Sequence, residues 1–380
     1  MCCDEQVKVI AVSTWYPSFS APTEAPFNHE HVKAIESQHD VRVVHVRLRS
    51  SAAPITETYD GVTVSRVSLD LKRPFSFFRV FSCIRREIST ADVVHSMAFS
   101  TILMVLPVWL TARRPWVHTE HWNGVTSPES VGPLWRRLAW LRHLLKFPHV
   151  VTGVTTQLAN RLQEFARPES SMVVPCVVEN GRPLRPWPRG EVLRLVAVGG
   201  LIARKRPLLA VETVKWLDDS GHKVRLDWVG AGPLEPEVRR AVEAAGLSDR
   251  VQLRGSVRPD EVFACIEEAD MFFLPSEQEN FFTAAAEALS SGRPVVAAAT
   301  GGYDDYCDAT NSVLVERPSA ENLGSAIVEA VSLLEARTPD DIATPVRERF
   351  NAEVVCELFT TAYEAAILRS SRAYPERSRL

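Results

Sequence analysis

The sequence predicts an α/β protein of two Rossmann-like, doubly wound domains, and three observations carry that expectation. Short apolar runs of strand length alternate with helical stretches along nearly the whole chain. One stretch without periodicity, ENGRPLRPWPRGE at residues 179–191, is dense in Pro, Arg and Gly and reads as a linker. The alternation restarts directly behind it, so two series of similar length flank one joint. At 380 residues the chain is long enough for both. The expected bounds are 1–180 for the first domain, 181–191 for the linker, 192–350 for the second domain and 351–380 for a last helix.

In the first series, residues 7–12 and 41–46 read as neighbouring strands, and 62–67 continues the pattern. Between the first two lies a Pro- and Ser-rich loop, then a helix with Asn28 as a fitting N-cap and Glu30 and Glu36 on its polar side. Residues 92–95 form a short strand, and 99–110 an apolar core helix, interrupted by Pro107 and too short to span a bilayer. After the strand at 116–118 comes TEHWNG, at a carboxyl end where open α/β sheets hold ligands. His121 therefore reads either as a catalytic or ligand-binding group or as a structural histidine. Residues 134–147, LWRRLAWLRHLLKF, read as a basic amphipathic helix. Its stripe of Leu134, Leu138, Leu141 and Leu145 is taken as a core face, in preference to a membrane-docking one.

The second series has strands at 193–198, 224–229 and 251–253, helices at 207–217, 235–245 and 260–268, and a last helix at 352–368. Its first loop is VGGLIARKRP. Gly199 and Gly200 permit close backbone approach, and Arg204, Lys205 and Arg206 bring positive charge to a helix start, an anion site best suited to a diphosphate. Neither G-x-x-x-x-G-K-[ST] nor G-x-G-x-x-G is present. Further on, residues 272–302 read as strand, loop, helix, glycine stop, strand and glycine loop. From 281 to 291 the only ionisable residue is Glu287, in a helix that looks apolar all round and hence buried. A buried carboxylate needs a partner, and with no Lys or Arg within a turn, a ligand's hydroxyl groups would serve. Glu279 precedes the same helix, facing whatever its free amides hold. Two surface glutamates on an Ala-rich helix are the alternative.

Composition removes several function classes. A net charge of -4 leaves no basic excess for a phosphate backbone, so no nucleic-acid partner is expected. Seven scattered cysteines without a C-x-x-C pair suit a reducing cytoplasm and offer no zinc framework. Cys2 and Cys3 have neither a myristoylation glycine nor a basic cluster beside them, and Asp4 and Glu5 do not suit a signal peptide. The expected location is cytoplasmic.

Taken in order, VGGLIARK, VGAGP, LRGSV, ADMFFLPSEQENFFTAAAEALSSGRPVVA and TGG resemble the nucleotide-sugar half of family 4 retaining glycosyltransferases of the GT-B fold. Glu279 and Glu287 match the family's Glu–seven residues–Glu motif. The likeness continues over the first half through WYPSFSAPTEAPF, DVVHSM, TEHW and VVPCVVEN. It implies two domains facing across a cleft, with the last helix crossing back to the first. It also implies transfer of a sugar from a UDP- or GDP-sugar, as co-substrate, to a small-molecule acceptor, with retention and with no cofactor or metal. The absence of any D-x-D agrees with that. In this correspondence Lys205, with Gly199, Gly200, Arg204 and Thr283, holds the diphosphate, and Glu287 holds the ribose. Glu279, Asn280, Phe281, Phe282 and His121 meet the sugar, Val257 lies near the base, and Glu279, His121 and Lys205 are the catalytic set.

Four residues depart from the pattern. Gly200 stands where an Arg is usual, Ala25 and Phe282 where glycines are usual, and Cys176 where an Asn is usual. Phe282 would narrow the sugar pocket. The acceptor would meet aromatic loops containing Trp15, Tyr16, Phe19, Phe27 and Trp122, suited to a small metabolite, a thiol or a cation. The alternatives are a lipid-linked acceptor at a membrane, a non-catalytic nucleotide-sugar-binding partner, and an epimerase or phosphorylase of the same fold.

Overall fold

The computed structural model describes residues 6–50, 52–70 and 72–373. Cys2, Cys3, Asp4, Glu5 and the polar tail from 374 lie outside the described residues. The chain divides into two units, Met1–Val177 with Ala352–Leu380, and Val178–Asn351.

The first unit runs β1 (Lys8–Ser13), α1 (Pro26–Glu36), β2 (Asp40–Leu48), β3 (Ile55–Tyr59), β4 (Val62–Leu69), α2 (Phe75–Ser89), β5 (Val93–Met97), α3 (Phe99–Ala112), β6 (Trp116–Glu120), α4 (Pro133–Leu138), β7 (Val150–Gly153), α5 (Thr156–Gln163) and β8 (Ser171–Val173). Its strand order is β3-β4-β2-β1-β5-β6-β7-β8. The β3–β4 hairpin is antiparallel and the other pairings are parallel. Central strands such as β5 and β6 are buried along their whole length, as a sheet covered on both faces requires.

The second unit runs β9 (Leu193–Val198), α6 (Pro207–Asp219), β10 (Val224–Val229), α7 (Glu235–Ala244), β11 (Val251–Gly255), α8 (Pro259–Glu267), β12 (Met271–Leu274), α9 (Thr283–Ser290), β13 (Val295–Ala298), β14 (Ser312–Val315), α10 (Ala320–Ala336) and α11 (Pro339–Arg349). Its all-parallel sheet has the order β11-β10-β9-β12-β13-β14. The order reverses between β9 and β12, so the loops leaving those two strands open a crevice at their carboxyl ends. The last helix, α12 (Ala352–Ala373), belongs to the first unit, where Phe359 and Tyr363 enter the core with Val9, Val93 and Val117. It is longer than the expected 352–368, and Arg369 bonds the carbonyl of Glu169.

Two local expectations are corrected. Asn28 does not cap α1: the helix starts at Pro26, whose fixed φ suits a first helical position, after Ala25 in the left-handed region at φ 48°. Asn28 is buried within the first turn and donates its side-chain amide to the carbonyl of Trp15 at 2.7 Å. Ala25 thus holds a backbone conformation that the family's glycine would adopt without strain. The segment 134–147 is not one amphipathic helix, since α4 ends at Leu138 and a 3-10 helix covers Ala139–Lys146. With three residues per turn, Trp140, His143 and Lys146 line up outward and Leu145 turns inward. The expected core stripe is largely in solvent: Leu134 is 70% exposed and only Leu145 is buried. Trp135 points inward instead, against Phe99 and Trp122.

Residues 179–191 have no regular structure, yet they are fastened to the second unit. Trp187 Nε1 donates to the carbonyl of Gly292 at 2.7 Å. Arg293, fully buried between α9 and β13, donates to the carbonyls of Arg185, Pro186, Glu267, Ala269 and Ser291. Burial lowers its pKa to about 10, so it remains a cation at neutral pH. One guanidinium thus ties the linker and the end of α8 to the α9–β13 turn. Arg293→Met would leave five carbonyls without this donor. We expect a loss of about 3–5 kcal/mol from the second unit, read as an earlier urea transition of its tryptophan fluorescence.

Candidate active site at the β9–β12 crevice

The loop after β9 contains Gly199 to Arg206, and the loop after β12 contains Pro275 to Phe282. Two glycine turns bring the first loop to shape. Gly230, at φ 132°, lies so close to Gly199 that a Cβ on it would fall 2.2 Å from the Gly199 carbonyl oxygen. At Gly200 a Cβ would meet only Ala231 O at 3.5 Å and Ile202 Cγ2 at 3.9 Å, so a side chain fits there. The second loop is braced by Gly301, at φ 70°, whose Cβ position lies 1.7 Å from the Glu279 carbonyl oxygen.

The two loops meet through charge. Lys205 Nζ donates to Glu279 Oε1 at 2.6 Å, and Arg204 donates to Glu279 Oε2 at 3.0 Å and to the Gln278 carbonyl at 2.6 Å. Lys205 and Glu279 are each 6% exposed. Burial holds the Lys205 pKa below its ordinary value, Glu279 opposes that, and Arg204 adds to it. The ammonium also lies over the Phe282 ring, 3.6 Å from its centroid. That ring is fixed by edge contacts with Phe272 and Tyr303, while Phe281 packs on Tyr306 and Phe350.

Helix α9 begins at Thr283 without a side-chain cap. Six of its residues are buried and two, Thr283 and Glu287, are half-buried. These two stand one turn apart on the same face. The expectation of a fully buried Glu287 is corrected accordingly: its carboxylate is on the one face of α9 that is open. Asn280 is half-buried, and its carbonyl accepts from the Gly302 amide at 3.1 Å. Val257 is half-buried after β11, two strands and so about 10 Å from the β9 loop.

Sequence reasoning missed three residues here. Ser276 Oγ, Thr300 Oγ1 and Tyr303 Oη are buried without a hydrogen-bond partner, on the loops that flank Glu279. All three lie within or beside the quoted motifs, but only their burial distinguishes them from other hydroxyls.

His121 is in the first unit, directly after β6. Its ring packs between Phe27 at 4.5 Å and His31 at 5.1 Å, with Cys176 Sγ 3.9 Å from Nδ1. Burial first, and then the neighbouring His31, His95 and His118, hold its pKa well below the ordinary value, so the imidazole is neutral. Its backbone amide and that of Trp122 both donate to the buried Glu120 at 2.9 Å. Among the described residues no group of three or more His, Cys, Asp or Glu side chains has metal-site geometry, and no helix is long and apolar enough to cross a membrane.

Comparison with known proteins agrees with this reading. A model described as Glycosyltransferase Family 4 matches residues 6–182, and one described as Glycosyl transferases group 1 matches 193–332. The chain is 31% identical over 236 residues to the 2-deoxystreptamine N-acetyl-D-glucosaminyltransferase of Streptomyces fradiae, covering 60% of this chain and 53% of that one. It is 29% identical over 166 residues to the 2-deoxystreptamine glucosyltransferase of Streptomyces kanamyceticus, covering 44% and 43%. The chain thus spans about half the length of the curated relatives it matches. Among solved structures, Anabaena HepE in complex with UDP and glucose superposes with a TM-score of 0.75 at 15% identity, over 94% of this chain and 100% of that one. The sucrose-phosphate synthase of Thermosynechococcus elongatus does so at 0.75 and 18%, over 94% and 98%. With successive models matching each unit and GT-B glycosyltransferases as structural neighbours, the chain belongs to the group 1, family 4 glycosyltransferases.

Proposed function

We propose that the chain transfers a sugar from a nucleoside diphosphate donor to an acceptor hydroxyl, or an equivalent nucleophile, with retention at the anomeric carbon and without a metal. The observation that carries this reading is the Lys205–Glu279 pair at the strand-order switch, beside the uncapped start of α9. A helix start and a cation are suited to a diphosphate. Lys205 exchanges Glu279 for the phosphates, with Arg204 adjacent, and Gly199, Gly200 and Thr283 line the same anion. Glu287, one turn along from Thr283, takes the ribose hydroxyls, and Val257 borders the uracil or guanine base. Glu279, released from Lys205, accepts from hydroxyls of the sugar, with Asn280, Phe281 and Phe282 around it. His121, neutral, contributes a hydrogen bond and no charge.

In the reaction the bond from the anomeric carbon to phosphate oxygen breaks and the bond to the acceptor oxygen forms. The acceptor proton passes to the departing phosphate, so a nucleoside diphosphate leaves. Lys205 and the α9 amides stabilise the charge that develops on it. That HepE is held with UDP and glucose on the same fold supports a nucleotide-sugar donor. Lys205→Ala is expected to lower kcat/KM by about 100- to 1,000-fold, and Glu279→Gln by about tenfold or more, in a nucleoside diphosphate release assay with labelled donors. Donor binding without release by the wild type would instead identify a non-catalytic sugar-nucleotide partner. Gly200→Arg, which the space at that position allows, is expected to lower the donor KM several-fold. A rise in KM would remove the phosphates from the neighbourhood of residue 200.

A lipid-linked acceptor is the second reading, favoured by one observation. No residue of α4 is buried, and the exposed Leu134, Leu138 and Trp140 alternate with Arg136, Arg137, His143 and Lys146. Co-sedimentation with vesicles containing phosphatidylglycerol tests it. Binding that Trp140→Ala weakens supports a membrane-bound acceptor, and no binding at low salt removes this support.

A further inference from the structure

The first unit contains a cavity of about 830 Å³ that none of the donor-side roles above uses, a volume suited to a small organic ligand. Its floor is the sheet surface where β2, β4 and β3 lie side by side. His45 pairs across to Arg66, and Arg66 to Ile55, so these three side chains share one face, with Arg47 and Glu57 two positions along on either side. The loop after β1 forms the other wall, with Trp15 51% and Phe19 72% exposed.

The electrostatics of the lining are asymmetric. Arg66 is buried and its guanidinium is engaged on every side: Nε donates to Glu57 at 2.5 Å, and its two other nitrogens donate to His45 Nδ1 at 2.6 Å and to the Pro17 carbonyl at 2.8 Å. Glu57 is therefore spent on Arg66. His45 accepts in its neutral form, its pKa lowered to about 4 by burial and then by Arg66 and Arg47. Arg47 donates once, to the Ala53 carbonyl at 2.7 Å, and its Nε is buried without a hydrogen-bond partner. Three arginines (Arg47, Arg49 and Arg66) stand in the lining against two glutamates (Glu24 and Glu57), which leaves a net positive charge. The Nε of Arg47 is shielded from the cavity, but Arg47 lines the wall with no carboxylate paired to it among the described residues, and such a guanidinium favours an anion. Beside it, Trp15, Phe19, Leu48 and Ile55 provide an apolar and aromatic surface.

We infer that this cavity binds a small molecule carrying a compact oxyanion next to a ring or apolar body, with Arg47 taking the oxyanion and Trp15 with Phe19 covering the body. The ligand is the acceptor of the transfer reaction. That last identification rests on the function proposed above, whereas the binding site does not. Of the small metabolite, thiol or cation expected against the aromatic loops, the guanidinium floor favours an anionic metabolite, and Tyr16, one of those aromatics, is buried under the loop rather than facing the cavity.

Calorimetric titration of the whole protein with phenyl phosphate, benzoate and benzyl alcohol tests the inference without needing turnover. Phenyl phosphate or benzoate should bind at least tenfold more tightly than benzyl alcohol. Arg47→Gln should weaken the anion at least tenfold, with Arg47→Lys recovering part of it. Trp15→Ala should weaken phenyl phosphate several-fold and leave inorganic phosphate unchanged. Thermal unfolding of each variant within a few degrees of wild type shows that the fold is kept. Equal binding of benzyl alcohol, or undiminished anion binding by a folded Arg47→Gln protein, overturns the proposal. A chain that binds the anion through Arg47 yet releases no nucleoside diphosphate with any donor would keep the site and lose the transfer.

Discussion

The β9 and β12 loops of the second unit meet at one buried ion pair. Removing Lys205 and Glu279 from water costs several kcal/mol per ion, and their 2.6 Å contact recovers it only because Arg204 also satisfies the carboxylate. Neither charge can leave the pair without another polar partner. In the proposed reaction a phosphate takes the place of Glu279 at Lys205, and sugar hydroxyl groups join Arg204 at Glu279. In the proposed function the pair mirrors its donor, with phosphate for Lys205 and sugar hydroxyl groups for Glu279. Ser276, Thr300 and Tyr303, with hydroxyls buried and unpartnered around the same loop, point the same way.

Much of this was legible in the sequence, because the relevant signals are local. The glycine turn with its Arg-Lys-Arg run, the strand–loop–helix order and the spacing of Glu279 from Glu287 are all readable within about thirty residues, and each maps onto a loop or helix face of the fold. What was not legible is set by long-range packing. Nothing near Arg293 in the sequence shows that its guanidinium collects five carbonyls from three segments. The helical period of residues 134–147 suggested a core face, but whether a stripe is covered depends on what the rest of the chain brings to it. Here Trp135 occupies the inward position and the leucines do not. Asn28 has the chemistry of a cap, yet Pro26 starts the helix two residues earlier.

The first unit shows the same division between a readable scaffold and unreadable chemistry. Its strands β1, β2, β4, β5 and β6 followed from apolar runs, whereas β3, β7 and β8 did not, and polar side chains occupy much of its interior. His31, His95 and His121 form one buried neutral group, tied by bonds such as His95 to Tyr363 and Thr119. A neutral histidine here is a hydrogen-bonding spacer, so the question whether His121 is structural or functional has no exclusive answer: it is held by packing in one protonation state. The arginines of β2 and β4 differ from these histidines in kind, since a guanidinium cannot shed its charge to suit its burial. Arg66 is neutralised internally and Arg47 is not.

At Phe282 a departure in sequence meets a contact in the fold. As a replacement for a glycine it reads as an obstruction of the sugar pocket. In the fold its ring lies beneath the Lys205 ammonium, locked by Phe272 and Tyr303. A cation–π contact in a desolvated setting contributes about 2 kcal/mol, enough to offset part of the cost that burial and Arg204 impose on a charged lysine. The aromatic ring therefore does for Lys205 what bulk water would do at a glycine. Unlike Glu279, it makes no claim on the lysine's hydrogens, so in the proposed reaction the ammonium turns from the carboxylate to a phosphate without leaving the ring. The residue that departs from the family's glycine thus seats the cation on which the proposed transfer relies.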